Sequence, residues 1–132
     1  MKIYHIFAIK KEVYNAYKSN EYKLYKLLFN LYNLNKEDLT YGLTLYNQIC
    51  YPINKKIIEE YLELIHKKRI GKTKYMITED KITSILIIKP SNIIYQTNNI
   101  SPNITYILNN YYKYLFICNF KEKDYNWINN IE

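Results

Sequence analysis

The chain opens on a nearly unbroken apolar run, Ile3-Tyr4-His5-Ile6-Phe7-Ala8-Ile9, with no alternation of polar positions. That pattern belongs to a strand covered on both faces. Lys10-Lys11-Glu12 ends the run, and a short helical turn is expected over 12–17. Ser19 or Asn20 then offers an N-cap for a longer helix reaching Tyr32. Within it Leu24, Leu27, Leu28 and Leu31 recur at i, i+3, i+4 and i+7, which puts them on one buried face. Tyr14 and Tyr17 lie in the preceding turn, and that face does not need them. After the polar break Asn33 to Asn35, another helix is expected over 36–49. It should end before Tyr51-Pro52, because the residue preceding proline avoids the α region. Asn54 can cap a helix over 55–69, with Ile57, Ile58, Tyr61, Leu62 and Ile65 on its buried stripe and Gly71 as its stop.

The period then changes. Segments 74–78 and 81–89 read as two strands joined through Glu79-Asp80, and 93–96 adds a short third. Ser101-Pro102 marks a helix start, a cap followed by proline at the first helical position. Ile104, Ile107, Leu108 and Tyr111 supply its apolar face. Segment 114–120 reads as another buried strand, and 124–131 as a tail anchored by Trp127. The order β-ααα-ββ(β)-α-β predicts an α+β (mixed α/β) fold. It would be a single domain over 1–132, a small mixed β-sheet with about four helices packed on it.

Composition supports one folded unit. A chain of 132 residues with 48% hydrophobic and 23% charged residues can bury a core, and 2 Gly and 3 Pro leave little room for linkers. The skew towards Ile, Lys, Asn and Tyr, with 17 Tyr against 4 Phe, is what AT-rich coding produces. Tyr also suits the rim of a core, ring inside and hydroxyl wet. The formal charge of +7 favours acidic partners and permits weak attraction to nucleic acid. Its densest cluster, Lys67-Lys68-Arg69 with Lys72, falls at the end of a predicted helix, where cations complement the macrodipole. Cys50 and Cys118 lie far apart without CxxC spacing and read as reduced thiols of a cytoplasmic protein. The apolar N-terminus has no cleavage site, and no stretch approaches the roughly 18 apolar residues of a membrane span. The sequons at Asn99 and Asn103 then carry no weight.

Catalytic patterns find no support. Gly71-Lys72-Thr73 resembles the end of a phosphate-binding loop, but the required earlier glycine falls on His66, and the local order is helix then strand. His5 and His66 sit on different elements outside any metal-ligand spacing, so both read as structural. Glu59, Glu60 and Glu63 read as a solvated helix surface, since the adjacent pair cannot share a face. There is no GxSxG, and neither cysteine has a histidine near it in sequence. No enzyme activity, metal or cofactor is expected.

Four stretches carry a resemblance, in order and across nearly the whole chain. They are Ile9-Lys10-Lys11-Glu12-Val13-Tyr14-Asn15-Ala16-Tyr17, then Leu27-Leu28-Phe29-Asn30-Leu31-Tyr32, then Gln48-Ile49-Cys50-Tyr51 before Pro52-Ile53. The last is Phe116-Ile117-Cys118-Asn119-Phe120 leading into Tyr125-Asn126-Trp127-Ile128-Asn129. The chain resembles the SirA family, sporulation inhibitors of replication. The resemblance implies a non-catalytic inhibitor of replication initiation that binds the N-terminal domain of the initiator DnaA. Carried over position by position, the family's contact surface falls on Val13, Tyr17, Gln48 and Tyr51. Tyr17, Gln48 and Tyr51 match the family's residue types, whereas Val13 stands where an aromatic is usual. The Tyr-Asn-Trp-Ile-Asn ending matches too, without the proline that follows in the family. Without the resemblance, Tyr51 would read as a ring packed beside Pro52. The expected protein is a monomer. The alternative is a small basic nucleic-acid-binding domain that uses Lys67, Lys68, Arg69 and Lys72.

Overall fold

The computed structural model describes residues 1–34, 39–62, 67–79 and 81–128. Strand β1 (Lys2–Ala8) is followed by four helices, α1 (Lys11–Tyr17), α2 (Glu21–Tyr32), α3 (Leu39–Ile49) and α4 (Lys55–Leu62). Four strands come next, β2 (Lys67–Arg69), β3 (Lys74–Glu79), β4 (Ile82–Ile88) and β5 (Ile93–Thr97). Helix α5 (Pro102–Asn109), β6 (Leu115–Asn119) and β7 (Asp124–Trp127) complete the order. Among the described residues the strands form one seven-stranded sheet in the order β2-β3-β4-β5-β1-β6-β7. The α+β class is as the sequence implies. The sheet itself is antiparallel at every pairing rather than mixed, and five helices accompany it.

Strand β1 is interior, between β5 and β6, and its run of apolar residues has the reason the sequence suggests. Ile6 and Ala8 enter one core with Ile58 and Leu62 of α4 and Ile104 and Leu108 of α5. Phe7 and Ile9 enter a second core with Leu24, Tyr25, Leu28 and Leu31 of α2 and Ile49 of α3. Successive residues of a strand point to opposite faces, so a strand between two helical layers must be apolar throughout. Strand β6 obeys the same rule, with Leu115 and Ile117 in the first core and Phe116 and Cys118 in the second. Strands β3 to β5 are covered fully on one side only. Tyr75, Ile77, Leu86, Ile88, Ile93 and Tyr95 are buried, and the residues between them are half-buried.

Three expectations change. The helix expected over 55–69 ends as a described helix at Leu62, and Lys67–Arg69 is a strand paired with β3, Lys68 opposite Met76. The i, i+1, i+4, i+5 spacing of Ile57, Ile58, Tyr61 and Leu62 gave no warning, because the pairing partner lies elsewhere in the chain. Residues 63–66, including His66, Glu63 and Ile65, lie outside the described residues. The basic cluster therefore does not complement a helix end. Lys67–Arg69 forms the first strand in the sheet order, and Lys72 lies in the β2–β3 connection. Gly71 stops no helix either: it lies in the β2–β3 connection, closed by the Ile70 N–H to Lys74 carbonyl bond of 2.9 Å, without a positive φ.

The tail expected over 124–131 begins as strand β7, with Trp127 opposite Phe116 and 1% exposed. Residues 129–132 lie outside the described residues, as do 35–38 before α3. Helix α5 starts at Pro102 as expected, but Ser101 does not cap it. Its hydroxyl donates instead to Glu79 Oε2 at 2.6 Å. Tyr111 falls just beyond the end of α5 and is half-buried.

Candidate protein-binding site

The segments around Val13 and Tyr51 meet at the C-terminal end of β1. Ile9 and Cys50 form an antiparallel bridge. The Lys10 N–H donates to the Ile49 carbonyl at 2.9 Å, and the Tyr51 N–H donates to the Ala8 carbonyl at 2.8 Å. The last residue of α3 is thus tied to the strand end from which α1 departs one residue later. These bonds satisfy main-chain groups that the end of α3 would otherwise leave open, and Pro52 prevents the helix from continuing.

Each predicted contact residue can now be placed. Gln48 is exposed on α3, and Tyr51 follows the helix with 43% of its surface exposed. Its ring is not packed away beside Pro52; the Lys10 Nζ lies 5.9 Å from its centroid, within reach of a cation–π contact. Val13 and Tyr17, one turn apart on α1, are half-buried against the core beneath α2. Tyr14 is the residue that docks this helix. It stacks on Tyr114 at 4.1 Å and meets the edge of Trp127 at 4.9 Å. The leucine face of α2 did not require Tyr14 and Tyr17, yet both are half-buried against the same core. A helix of 7 residues with no fully buried side chain holds its place only through such half-buried rings.

A family model described as sporulation inhibitor of replication protein SirA matches residues 2–132. The chain belongs to the SirA family. No curated protein matches it. The family is one of inhibitors of replication linked to sporulation, and the match covers both segments of the junction at the end of β1.

Around Tyr51 this SirA-family chain carries two depressions. One, of about 310 Å³, has Ile9 beneath it and is walled by Lys11, Tyr51, Tyr111, Tyr112, Lys113 and Tyr114. The other, of about 90 Å³, lies between Leu43, Asn47 and Tyr51 and the Pro90-Ser91 segment. Tyr51 borders both. Leu43 is 58% exposed and escaped the sequence reading. It was findable: with Leu45, Tyr46 and Ile49 assigned to the core side of α3, Leu43 and Asn47 remain on the outer side, four residues apart.

Cys50 is buried at the junction, and desolvation pushes its thiol up to about 12, against the opposing pull of Lys10. His5 lies opposite Cys118 across the β1–β6 ladder, a Cys–His juxtaposition that sequence distance conceals. Burial raises the Cys118 thiol as well, and unfavourable electrostatic interactions with Cys50 and Asp124 add to it. A nucleophilic cysteine needs the reverse shift. His5 is held by Asn92 Oδ1 at 3.2 Å and ringed by Tyr32 and Phe120 at 4.9 and 5.1 Å. Its pKa is lowered, chiefly by burial. No group of three His, Cys, Asp or Glu among the described residues could hold a metal ion, and no helix among them is long and apolar enough to cross a membrane.

Proposed function

We propose that this chain, acting as one monomeric cytoplasmic domain, inhibits replication initiation by binding the N-terminal domain of DnaA without chemistry. The observation that carries the reading is the joining of the two expected contact segments by the Ala8–Tyr51 and Lys10–Ile49 hydrogen bonds. The segments that carry Val13 and Tyr51, 38 positions apart in the chain, are thereby tied together at the end of β1. Tyr51 presents a large ring at low entropic cost, and Gln48 adds an adaptable amide beside it. Membership of a family of replication inhibitors supports the direction of the effect. Val13 and Tyr17 contribute less than Tyr51, since both spend part of their surface on the core. Titration calorimetry against the isolated initiator domain from the same genome tests the reading. Saturable binding that Gln48→Ala and Tyr51→Ala weaken is expected, and its absence in the wild type removes the function.

A further inference from the structure

The larger depression beside Tyr51 has a consistent chemistry. Two of its walls are the lysines Lys11 and Lys113, both exposed, and no acidic residue lines it. A third lysine, Lys10, stands over the Tyr51 ring at 5.9 Å, and Lys113 stands over the Tyr114 ring at 5.5 Å. Among the described residues none of these three lysines carries an ion pair. Two of its tyrosines have partners within the fold: Tyr114 stacks on Tyr14 at 4.1 Å, and the Tyr112 hydroxyl accepts the Asn54 N–H at 2.7 Å. The depression therefore sets ammonium charge beside tyrosine side chains, of which Tyr51 is exposed and Tyr111, Tyr112 and Tyr114 are half-buried.

We infer that this depression receives an acidic segment of the protein partner, its carboxylates held by Lys11 and Lys113 while Tyr51 packs beside it. This deepens the proposed initiator-binding function and rests on it. Charge complementarity selects the occupant. A cluster of unpaired cations over apolar walls attracts carboxylates from a distance and fixes their register on contact. A single strand of nucleic acid would stack its bases on ring faces, and here Tyr114 is already stacked on Tyr14 with Lys113 over it while Lys10 stands over Tyr51.

The test is association kinetics against the isolated initiator domain, at two salt concentrations. The double variant Lys11→Gln with Lys113→Gln should associate about three- to ten-fold more slowly than wild type at about 50 mM salt, the gap closing at about 500 mM. Lys11→Arg with Lys113→Arg should keep the wild-type rate. Circular dichroism melting confirms that both variants fold, as substitution at exposed positions leads one to expect. If the Gln variant associates at the wild-type rate at low salt while Tyr51→Ala still loses affinity, the acidic-segment inference fails and the initiator reading stands. If wild type does not bind the domain at all, the initiator reading fails and takes the inference with it. Binding of an oligothymidine that depends on Lys11 and Lys113 overturns the inference in favour of a nucleic-acid cleft.

Discussion

The backbone N–H of Tyr51 donates to the carbonyl of Ala8 at 2.8 Å, so the second of the two proposed contact segments hangs from the strand that leads into the first. The side chain and the main chain of Tyr51 therefore do separate jobs. Tyr51→Ala should weaken partner binding by about 1–3 kcal/mol while leaving the melting temperature near wild type. Tyr51→Pro should also lower stability, by about 1 kcal/mol or more, because it removes the donor to Ala8. Calorimetric titration and urea denaturation on the two variants separate the roles.

Tyr14 should act on binding at one remove. Its ring anchors α1 through Tyr114 and Trp127, and α1 carries Val13 and Tyr17. Tyr14→Ala is expected to cost about 1–3 kcal/mol of stability, below the full cost for a completely buried aromatic ring, and to weaken binding as well. Tyr14→Phe keeps both stacking contacts and should preserve both properties. Urea midpoints with an unchanged slope check the stability effect.

Lys81 is held at φ 67° in the β3–β4 hairpin, where Glu79 pairs with Ile82. A lysine in that left-handed region carries a steric cost between Cβ and backbone that glycine escapes. Lys81→Gly should raise stability by about 0.5–1 kcal/mol, the sign being that of a two-residue hairpin loop restored to its favoured residue. Lys123 at φ 57°, before β7, should respond in the same direction. A rise in the urea midpoint is the measurement, and a fall in both variants contradicts the assignment.

His5 makes stability depend on pH. Burial lowers its pKa below 6.5, with the nearby charge of Lys89 adding to the effect and the Asn92 hydrogen bond opposing it. The unfolded chain therefore binds a proton at His5 more readily than the folded one, and stability rises with pH in that range. The contribution is fully present above about 6.5 and is lost as pH falls through the folded pKa. Melting temperature should fall between about pH 7 and pH 5, and His5→Gln should flatten that fall. An unchanged slope in the variant would place the titration on another group.

What could be read in the sequence was what depends on neighbours along the chain. The runs of β1 and β6, the leucine stripe of α2 and the proline start of α5 each follow from local period and local sterics. Strand β2 was not legible, since Lys67-Lys68-Arg69 is made a strand by its partners Tyr75, Met76 and Ile77. The burial of Tyr14 depends on Tyr114 and Trp127, a hundred residues or more away. The candidate site divides the same way. Gln48 and Tyr51 could be named from a resemblance, but their junction with α1 is made by hydrogen bonds between residues 8–10 and 49–51. The lysine-lined depression joins Lys11 and Tyr51 to Lys113, a convergence that only the sheet order produces.

The central claim is that the face at the end of β1 holds the replication initiator. Titrating the full chain into the isolated N-terminal domain of DnaA from the same genome tests it most directly. The account predicts saturable binding, weakened by about 1–3 kcal/mol in Tyr51→Ala with the fold retained. No heat of binding from the wild-type chain, or the same affinity in the Gln48→Ala/Tyr51→Ala double variant, would contradict it.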